Sequence, residues 1–302
     1  MSKILISVVG PTAIGKTALS INLAKHFKTE IISADSRQFF REMHIGTAAP
    51  SDEELSLASH HFIHHKSFED NYNVGEFEKD AIAKLEELFQ THDVVVMVGG
   101  SGLYVDAVTK GLDDFPKIDP AIRKNLNNTF KTEGLEALQT QLKTLDISSY
   151  NSIAIDNPHR IIRALEVSLG TGKPYSSFLN KNRTRRNFKT FSIGLMAERK
   201  IIYDRINERV DKMIKEGLVE EAKALFPKRH LNALNTVGYK ELFNHFSGNW
   251  TLDFAISEIK KNTRRFAKRQ LTWFRKDDNI IWFDYKTDFP SILKRLENEI
   301  KA

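Results

Sequence analysis

An apolar run that ends in a glycine-rich loop and continues as a helix constrains this 302-residue chain more than any other feature. The run Ile4–Val9 precedes Gly10-Pro11-Thr12-Ala13-Ile14-Gly15-Lys16-Thr17, and a helical pattern then extends to Phe27. The segment fits G-x-x-x-x-G-K-[ST] in the strand–loop–helix context of a phosphate-binding P-loop. Its amides can surround a phosphate, and the start of the helix adds positive potential. We therefore predict a diphosphate or triphosphate site at residues 10–17.

Two side chains of the loop have predicted chemical roles. Lys16 would place a positive charge against the terminal phosphate, and the Thr17 hydroxyl can bind Mg²⁺. Mg²⁺ is therefore the expected cofactor, and Thr17 is its expected protein ligand.

The acids that follow the buried strands do not match those of an ATP-driven motor. Such proteins usually carry an acid after a second buried strand to organise Mg²⁺ and water. The strand predicted over 94–98 ends instead in Gly99-Gly100-Ser101-Gly102, whereas the one over 30–34 ends in Asp35 and Ser36-Arg37-Gln38. Ligands bind at the carboxyl ends of parallel strands, so Asp35, Ser101 and the P-loop are expected to converge. The pattern favours a transferase.

Alternating strand and helix patterns predict the fold class. The spacing of Phe77, Ala81 and Leu85 predicts a helix over 76–89. Strands that alternate with helices are typical of a parallel sheet covered on both faces. We therefore predict an α/β fold, a P-loop parallel sheet with helices on both faces, plus a helical insertion domain.

Turn residues indicate where the insertion lies. Glycine and proline near 111–116 end the alternation, only helical segments follow over 119–179, and an apolar strand returns at 188–196. We expect a P-loop core domain over 1–112 and 190–302, and a helical insertion domain over 113–189.

Composition excludes several classes of protein. The chain has no cysteine, so disulfides and thiolate metal sites are excluded, and a reducing cytosol is compatible with it. No apolar stretch reaches the length of a membrane span, and the first residues carry no export signal. We expect a cytoplasmic protein without a membrane partner, and a monomer.

Positive charge is concentrated in two places, although the net charge is only +6. One cluster joins the insertion to the core: Lys181, Arg183, Arg185, Arg186 and Lys189. The other forms two rows on a helix predicted over 251–276: Lys260, Arg264, Lys268 and, beside them, Lys261, Arg265, Arg269. Like charges at this spacing destabilise a helix by roughly 0.2–0.5 kcal/mol per pair, so rows without acids indicate a bound anion such as nucleic acid. A solvated basic face is the alternative. Trp273 and Phe274, just beyond the rows, could stack on bases, but we favour half-buried core aromatics.

Two further features have competing interpretations. His60, His61, His64 and His65 resemble a metal cluster, but no carboxylate joins them at helical spacing, so we favour a loop or helix end with ordinary histidines. Asp35 alone could be a helix cap or a strand-end turn residue.

An ordered set of motifs resembles the tRNA dimethylallyltransferase (tRNA isopentenyltransferase) family over nearly the whole chain. Besides the P-loop, the matching stretches are Ser33-Ala34-Asp35-Ser36-Arg37-Gln38, Ile45-Gly46-Thr47-Ala48, Gly99-Gly100-Ser101-Gly102-Leu103-Tyr104, Asp156-Asn157-Pro158-His159-Arg160-Ile161-Ile162-Arg163-Ala164-Leu165-Glu166, Thr171-Gly172-Lys173-Pro174, Gly238-Tyr239-Lys240-Glu241 and Lys268-Arg269-Gln270-Leu271-Thr272-Trp273-Phe274-Arg275. Departures are few: Ile14 replaces a usual serine, Ser101 a common threonine and His64 a usual aspartate.

The resemblance implies a reaction and its residues. The P-loop would bind the diphosphate of dimethylallyl diphosphate, and the prenyl group would pass to N6 of the adenine 3′-adjacent to the anticodon of tRNA. Asp35 would be the base, with Lys16, the loop amides, Mg²⁺ on Thr17 and arginines holding the diphosphate. Arg199 and Arg205 are the weaker candidates for those arginines. The expected tRNA contacts are Asp35, Ser36, Arg37, Gln38, Ser101, Arg123, His159, Arg160, Ile161, Ile162 and Arg163, together with Arg264 and Lys268 from the basic rows.

Two alternatives remain at this point. A small-molecule or nucleoside kinase also has a P-loop, an acid after the second strand and a helical lid, but it has no use for the basic rows. A nucleic-acid-binding NTP switch would need a segment that senses a γ-phosphate, and the sequence identifies none.

Overall fold

A six-stranded parallel sheet forms the centre of the core; the computed structural model describes residues 3–179 and 186–301. The strands are β1 (Ile4–Val9), β2 (Ile31–Ser33), β3 (His60–His61), β4 (Val94–Val98), β5 (Lys189–Met196) and β6 (Ile280–Asp284). Their spatial order is β3-β2-β4-β1-β5-β6, and every neighbouring pair is parallel. Because β1 is flanked by β4 and β5, the loop that follows it emerges in the middle of the carboxyl edge.

Thirteen α-helices occur in the described parts of the chain. They are α1 (Lys16–Phe27), α2 (Asp52–Leu57), α3 (Val74–Leu88), α4 (Gly102–Lys110), α5 (Pro120–Glu133), α6 (Leu135–Leu145), α7 (Ile147–Ser152), α8 (Pro158–Thr171), α9 (Arg199–Lys215), α10 (Leu218–Leu225), α11 (Tyr239–Phe246), α12 (Leu252–Phe274) and α13 (Phe289–Lys301).

Alternate residues of β1 belong to two separate apolar cores. Ile6 and Val8 pack in one cluster with residues of α1, α9 and α13, whereas Leu5 and Val9 pack in another with α3 and α4. Successive side chains of a strand point to opposite faces, so both faces of the sheet are covered by helices. Each fully buried aliphatic side chain contributes about 1.5–3 kcal/mol to this packing. The predicted fold class is confirmed.

The helical insertion is a second compact unit, Lys110–Arg185. Asn157 caps α8 by accepting hydrogen bonds from the amides of His159 and Arg160, and Pro158 occupies the first turn, as the Asn-Pro pair predicts. The predicted insertion, 113–189, ends later than this unit. The reason is that Arg186 belongs to the core, where it donates to the carbonyls of Ala107 and Val108 and pairs with Glu78.

The histidine segment includes a strand that the sequence did not predict. His60 and His61 form β3 at the edge of the sheet beside β2, so the expected loop or helix end is wrong for these two residues. A two-residue polar strand has no alternating pattern to detect. His61 Nε2 lies 2.7 Å from Glu30 Oε2. In residues 3–179 and 186–301, no group of three or more His, Cys, Asp or Glu side chains could hold a metal ion.

We expect His65 to make the fold sensitive to acid. Its ring contacts Phe39, Phe62 and Tyr72, and neither ring nitrogen has a hydrogen-bond partner among the described residues. Burial, and then the charge of Lys66, lower the pKa of His65 to about 4. The unfolded chain therefore takes up this proton first, and stability falls as the pH drops from about 6.5 towards 4.

His65→Phe should remove part of that loss. The free energy of unfolding is measured with urea at pH 7.5 and at pH 5. Its decrease between the two pH values should be about 1 kcal/mol smaller in the variant than in the wild type. The exposed His230→Phe is the control. An unchanged pH dependence in His65→Phe would show that His65 is not the group responsible.

Candidate active site

The glycine-rich loop lies directly over the end of β5. Gly10 has φ +141°, and a Cβ there would come within 2.7 Å of the Leu195 carbonyl oxygen. Gly15, at φ +109°, leads into the first turn of α1. Only glycine combines this backbone with so close an approach. The loop can therefore present its amides and the start of α1 to one anion.

Lys16 lies inside this loop, and the pKa of its ammonium group is lowered. Its Nζ donates a 2.8 Å hydrogen bond to the Pro11 carbonyl. Burial, and then the nearby Arg209 guanidinium, lower the pKa of Lys16 to about 7, against an opposing effect of Asp35. A diphosphate in the loop would supply negative charge that restores the ammonium form.

The oxygen donors at the loop fit a magnesium ion shared with a diphosphate. The Thr17 hydroxyl, at the start of α1, makes no hydrogen bond to the described residues. Mg²⁺ is commonly bound through one or two protein oxygens together with substrate phosphates rather than in an all-protein cage. Thr17 is the residue that would hold it.

Asp35 is held by one oxygen only. Its Oδ1 accepts hydrogen bonds from the amides of Arg37 (2.9 Å) and Gln38 (3.4 Å), so the residue closes a turn and does not cap a helix. Its Oδ2 makes no hydrogen bond to the described residues. Burial raises the pKa of Asp35, while the two amides and Lys16 oppose the rise. A carboxylate with a raised pKa and a free oxygen is suited to accept a proton near neutral pH.

Hydrogen bonds join the end of β2 to the loop after β4. The Ser36 amide donates to Ser101 Oγ at 3.0 Å, and the Ala34 amide donates to the Val98 carbonyl at 2.7 Å. A Cβ on Gly100 would lie 3.6 Å from Lys16 Nζ. Asp35, Ser101 and the P-loop therefore meet at the carboxyl edge, where the topology places them.

Gln270 joins the P-loop to the glycine loop after β4, and the sequence did not single it out. Its Oε1 accepts from the Thr12 amide (2.8 Å), and its Nε2 donates to the Gly100 carbonyl (2.9 Å). The side chain is buried, so one amide on α12 fixes both loops.

Two arginines of α9 reach the P-loop. Arg205 Nε donates to the Ala13 carbonyl at 2.7 Å, and Arg209 Nη1 lies 3.4 Å from the Thr12 hydroxyl. Burial lowers the pKa of Arg209. The sequence analysis did not select this arginine, although it lies one helical turn after Arg205. Arg199 is exposed and lines a surface cleft with Tyr203 and Arg264.

Two lysines of the basic rows on α12 have acidic partners. The sequence-based premise that the rows lack acids is therefore wrong. Lys260 pairs with Asp211 of α9 at 2.6 Å, and Lys261 pairs with Glu258. Asp211 lies on another helix, so no local pattern reveals it, whereas Glu258 stands three residues before Lys261, a helical spacing that the sequence interpretation overlooked. Arg264 donates to Asn207 Oδ1 at 2.8 Å. Lys268, Arg265 and Arg269 are exposed.

Within the insertion, two arginines share one buried carboxylate. Arg123 Nη1 and Arg163 Nη1 each lie 2.9 Å from Glu166 Oε2, and both guanidinium side chains remain partly exposed. His159 and Arg160 are exposed at the start of α8.

Two isoleucines of the segment 159–163 face inward. The side chains of Ile161 and Ile162 are buried in the core of the insertion, where they pack with Leu126 and Leu138. These side chains contribute to packing on the inner face of α8, and the tRNA contact of the segment stays a prediction. Of the basic cluster after the insertion, Lys181, Arg183 and Arg185 lie outside the described residues, and Arg186 is bonded within the core.

This arrangement defines an α/β P-loop protein whose phosphate loop faces a carboxylate at the end of β2 and no acid at the end of β4. Residues 38–277 match the family model described as IPP transferase. The chain belongs to the IPP transferase family, which excludes the kinase alternative.

Curated relatives and solved structures agree with this family. The chain is 62% identical over 302 residues to the tRNA dimethylallyltransferase of Christiangramia forsetii, covering 100% of both chains. It is 58% identical over 306 residues to that of Flavobacterium johnsoniae, covering 99% of each. The tRNA isopentenylpyrophosphate transferase of Bacillus halodurans superposes with a TM-score of 0.72 at 39% identity, over 100% of this chain and 96% of that one. A eukaryotic dimethylallyltransferase acting on tRNA shares the fold, with a TM-score of 0.80 at 23% identity, over 94% and 74% of the two chains.

No helix in the described parts of the chain is both long and apolar enough to cross a membrane.

Proposed function

We propose that this chain transfers the dimethylallyl group of dimethylallyl diphosphate to N6 of the adenine 3′-adjacent to the anticodon in tRNA, releasing diphosphate. One observation carries the proposal: the free Oδ2 of Asp35 lies at the same sheet edge as a P-loop that has no acid after β4 to organise water. The cytoplasmic location and the monomeric state stay predictions.

In the proposed reaction, the loop stabilises the leaving group. The adenine N6 attacks C1 of the dimethylallyl group, the C1–O bond breaks, and its electron pair leaves with the diphosphate. Lys16, Arg205, Arg209 and the loop amides surround the position where that negative charge grows. Bound at Thr17, Mg²⁺ would neutralise part of the same charge.

Asp35 accepts the proton that N6 loses. An adenine amine is a poor nucleophile, because its lone pair is delocalised into the ring, so removal of the proton assists bond formation. The Arg37 and Gln38 amides hold Oδ1 and leave Oδ2 to face the amine. General-base assistance of this kind contributes typically 10²–10⁴-fold. The target base must leave the anticodon stack to reach this carboxylate.

Ligand protection tests the identity of the first substrate. We expect dimethylallyl diphosphate with Mg²⁺ to raise the melting temperature by several degrees, because it fills the phosphate loop, and ATP at the same concentration to raise it much less. Inorganic pyrophosphate, which lacks the prenyl group, is the control for the diphosphate alone. Steady ATP hydrolysis stimulated by tRNA would overturn the proposal.

Salt dependence tests the proposed tRNA contacts of α12. Exchanging Arg264 and Lys268 together for glutamate should weaken all anticodon stem-loops alike and reduce the slope of log Kd against log salt by about one to two, because phosphate contacts release counterions. Lys79→Glu with Lys294→Glu, two exposed lysines on α3 and α13, makes the same change in net charge. An unchanged slope of log Kd against log salt in the α12 variant would show that this helix face is solvated and does not contact the RNA phosphates.

Arg160 and Arg163 should behave differently in the same assay. Their replacement by alanine is expected to reduce prenylation of the cognate stem-loop more than its binding, because base and loop contacts specify while phosphate contacts position.

A further inference from the structure

Two motifs shared with the family lie beside the active site and contact each other. Ile45-Gly46-Thr47-Ala48 belongs to a loop over 44–48 that follows β2, and Gly238-Tyr239-Lys240-Glu241 leads into α11. A Cβ on Gly46 would lie 2.5 Å from the Tyr239 hydroxyl oxygen, so only glycine lets the loop backbone come this close. Tyr239 is fully buried. The 44–48 loop is therefore packed directly against the start of α11.

One carboxylate joins the two motifs. Glu221 of α10 accepts hydrogen bonds on Oε2 from the amides of His44 (3.1 Å) and Ile45 (2.8 Å). On Oε1 it accepts from the Gly46 amide at 2.9 Å and from the Tyr239 hydroxyl at 2.7 Å. Burial, and then the charge of Glu221, raise the pKa of Tyr239, so the phenol stays a donor. A carboxylate has about four acceptor sites, and all of those on Glu221 are occupied.

The 44–48 loop in turn holds Gln38. Gln38 Nε2 donates to the carbonyls of Thr47 and Ala48 at 3.3 and 3.1 Å. Ala48 has φ +50°, a left-handed conformation that alanine disfavours, so the contacts of the loop fix these carbonyls. The Gln38 amide then donates to Asp35 Oδ1 at 3.4 Å. A continuous series of contacts therefore connects Glu221 with the carboxylate of Asp35.

We propose that Glu221 is a positioning residue for Asp35, which it keeps directed at the amine of the RNA substrate through the 44–48 loop and Gln38. The inference rests on the proposed function, since it assumes that Asp35 accepts the proton. A general base must lie within hydrogen-bond reach of that proton. A displacement of about 1 Å caused by a distant substitution can lower a rate by about 10²-fold.

Glu221→Gln tests the positioning role. Glutamine has nearly the same volume but only one acceptor oxygen, so about two of the four donors lose their acceptor. Single-turnover prenyl transfer with saturating substrates should fall roughly 10- to 100-fold. The KM for dimethylallyl diphosphate should change less than about twofold, because the P-loop keeps its contacts. Glu220→Gln, at the exposed neighbouring position of α10, is the control and should keep the wild-type rate.

The Asp35→Asn background makes the test specific. If Glu221 acts through Asp35, adding Glu221→Gln to Asp35→Asn should lower the remaining rate by less than about threefold, because residues that act as one unit are not additive. Equal fold losses in the two backgrounds would overturn the proposal. So would a lower melting temperature of Glu221→Gln with a wild-type rate, which would assign Glu221 to stability alone.

The pH dependence of the rate provides a second readout. Burial raises the pKa of Asp35, whereas the amides of Arg37 and Gln38 and the charges of Lys16 and Arg37 lower it. A displaced loop weakens the hydrogen bonds of the two amides, so the pKa of Asp35 rises further. The acid limb of the single-turnover pH profile should therefore move to higher pH in Glu221→Gln. A slower variant whose acid limb stays at the wild-type position would contradict the proposal.

Tyr239→Phe provides the same test if Glu221→Gln does not fold. It removes one of the four donors and leaves the carboxylate with three amides. The single-turnover rate should fall about two- to fivefold, the usual effect of one hydrogen bond, and the loss should again be absent in the Asp35→Asn background. An unchanged rate, or an equal loss in both backgrounds, would overturn the proposal.

The rates of the wild type and of Asp35→Asn distinguish this inference from the proposed function. If Asp35→Asn is impaired as expected and Glu221→Gln is not, the positioning role fails alone. If the wild type transfers no prenyl group to the stem-loop, the proposed function fails.

Discussion

Asp35→Asn is expected to lower the rate of prenyl transfer by at least about 10²-fold while changing stem-loop affinity only a few-fold. The amide oxygen of asparagine can still accept from the Arg37 and Gln38 amides, so the turn is kept. Oδ2, by contrast, becomes an amide group that cannot take a proton from N6. Single-turnover rates with saturating stem-loop isolate this chemical step from binding.

Stability and a matched aspartate provide the controls. Because burial raises the pKa of Asp35, the neutral amide should leave the melting temperature at pH 7 unchanged or higher. Asp278→Asn, an exposed aspartate after α12, should keep the wild-type rate. More than about a tenth of the wild-type rate in Asp35→Asn would show that another group accepts the proton.

Lys16→Ala is expected to lower kcat/KM for dimethylallyl diphosphate by about 10²–10³-fold, the usual loss when one donor to a developing negative charge is removed. The substitution also removes a buried ammonium whose pKa is already lowered to about 7, so the fold should not lose stability. Steady-state kinetics with each substrate varied in turn measures the loss, and the KM for the stem-loop should be nearly unchanged.

Lys25, on the same helix, is the control that distinguishes loss of a binding-site residue from loss of a positive charge. Lys25→Ala removes an exposed positive charge from α1 and should leave kcat/KM within about twofold of the wild type. A wild-type kcat/KM in Lys16→Ala would mean that the diphosphate binds away from this loop.

Local patterns predicted the parts of the site that lie at strand ends. Parallel strands share a carboxyl edge. The sequence alone therefore predicted that the P-loop after β1, Asp35 after β2 and Ser101 after β4 lie together. The start of α8 could also be predicted, because Asn157 and Pro158 act on the helix that directly follows them in the sequence.

Long-range contacts could not be predicted in this way. Gln270 reaches the Thr12 amide from a helix near the other end of the chain, and Arg209 reaches the same loop from α9. Neither contact has a local signal, because each depends on which helix packs beside the loop. The acid partner of Lys260 was missed for the same reason.

Direct analysis of the product tests the central claim. The protein, Mg²⁺, dimethylallyl diphosphate and a tRNA anticodon stem-loop are incubated together, and the RNA is digested and analysed by mass spectrometry. The account predicts one dimethylallyl group on N6 of the adenine 3′-adjacent to the anticodon, one diphosphate released per transfer, and no product when that adenine is replaced by guanine. Transfer of a phosphoryl group from ATP, or a prenyl group on any other atom of the RNA, would contradict it.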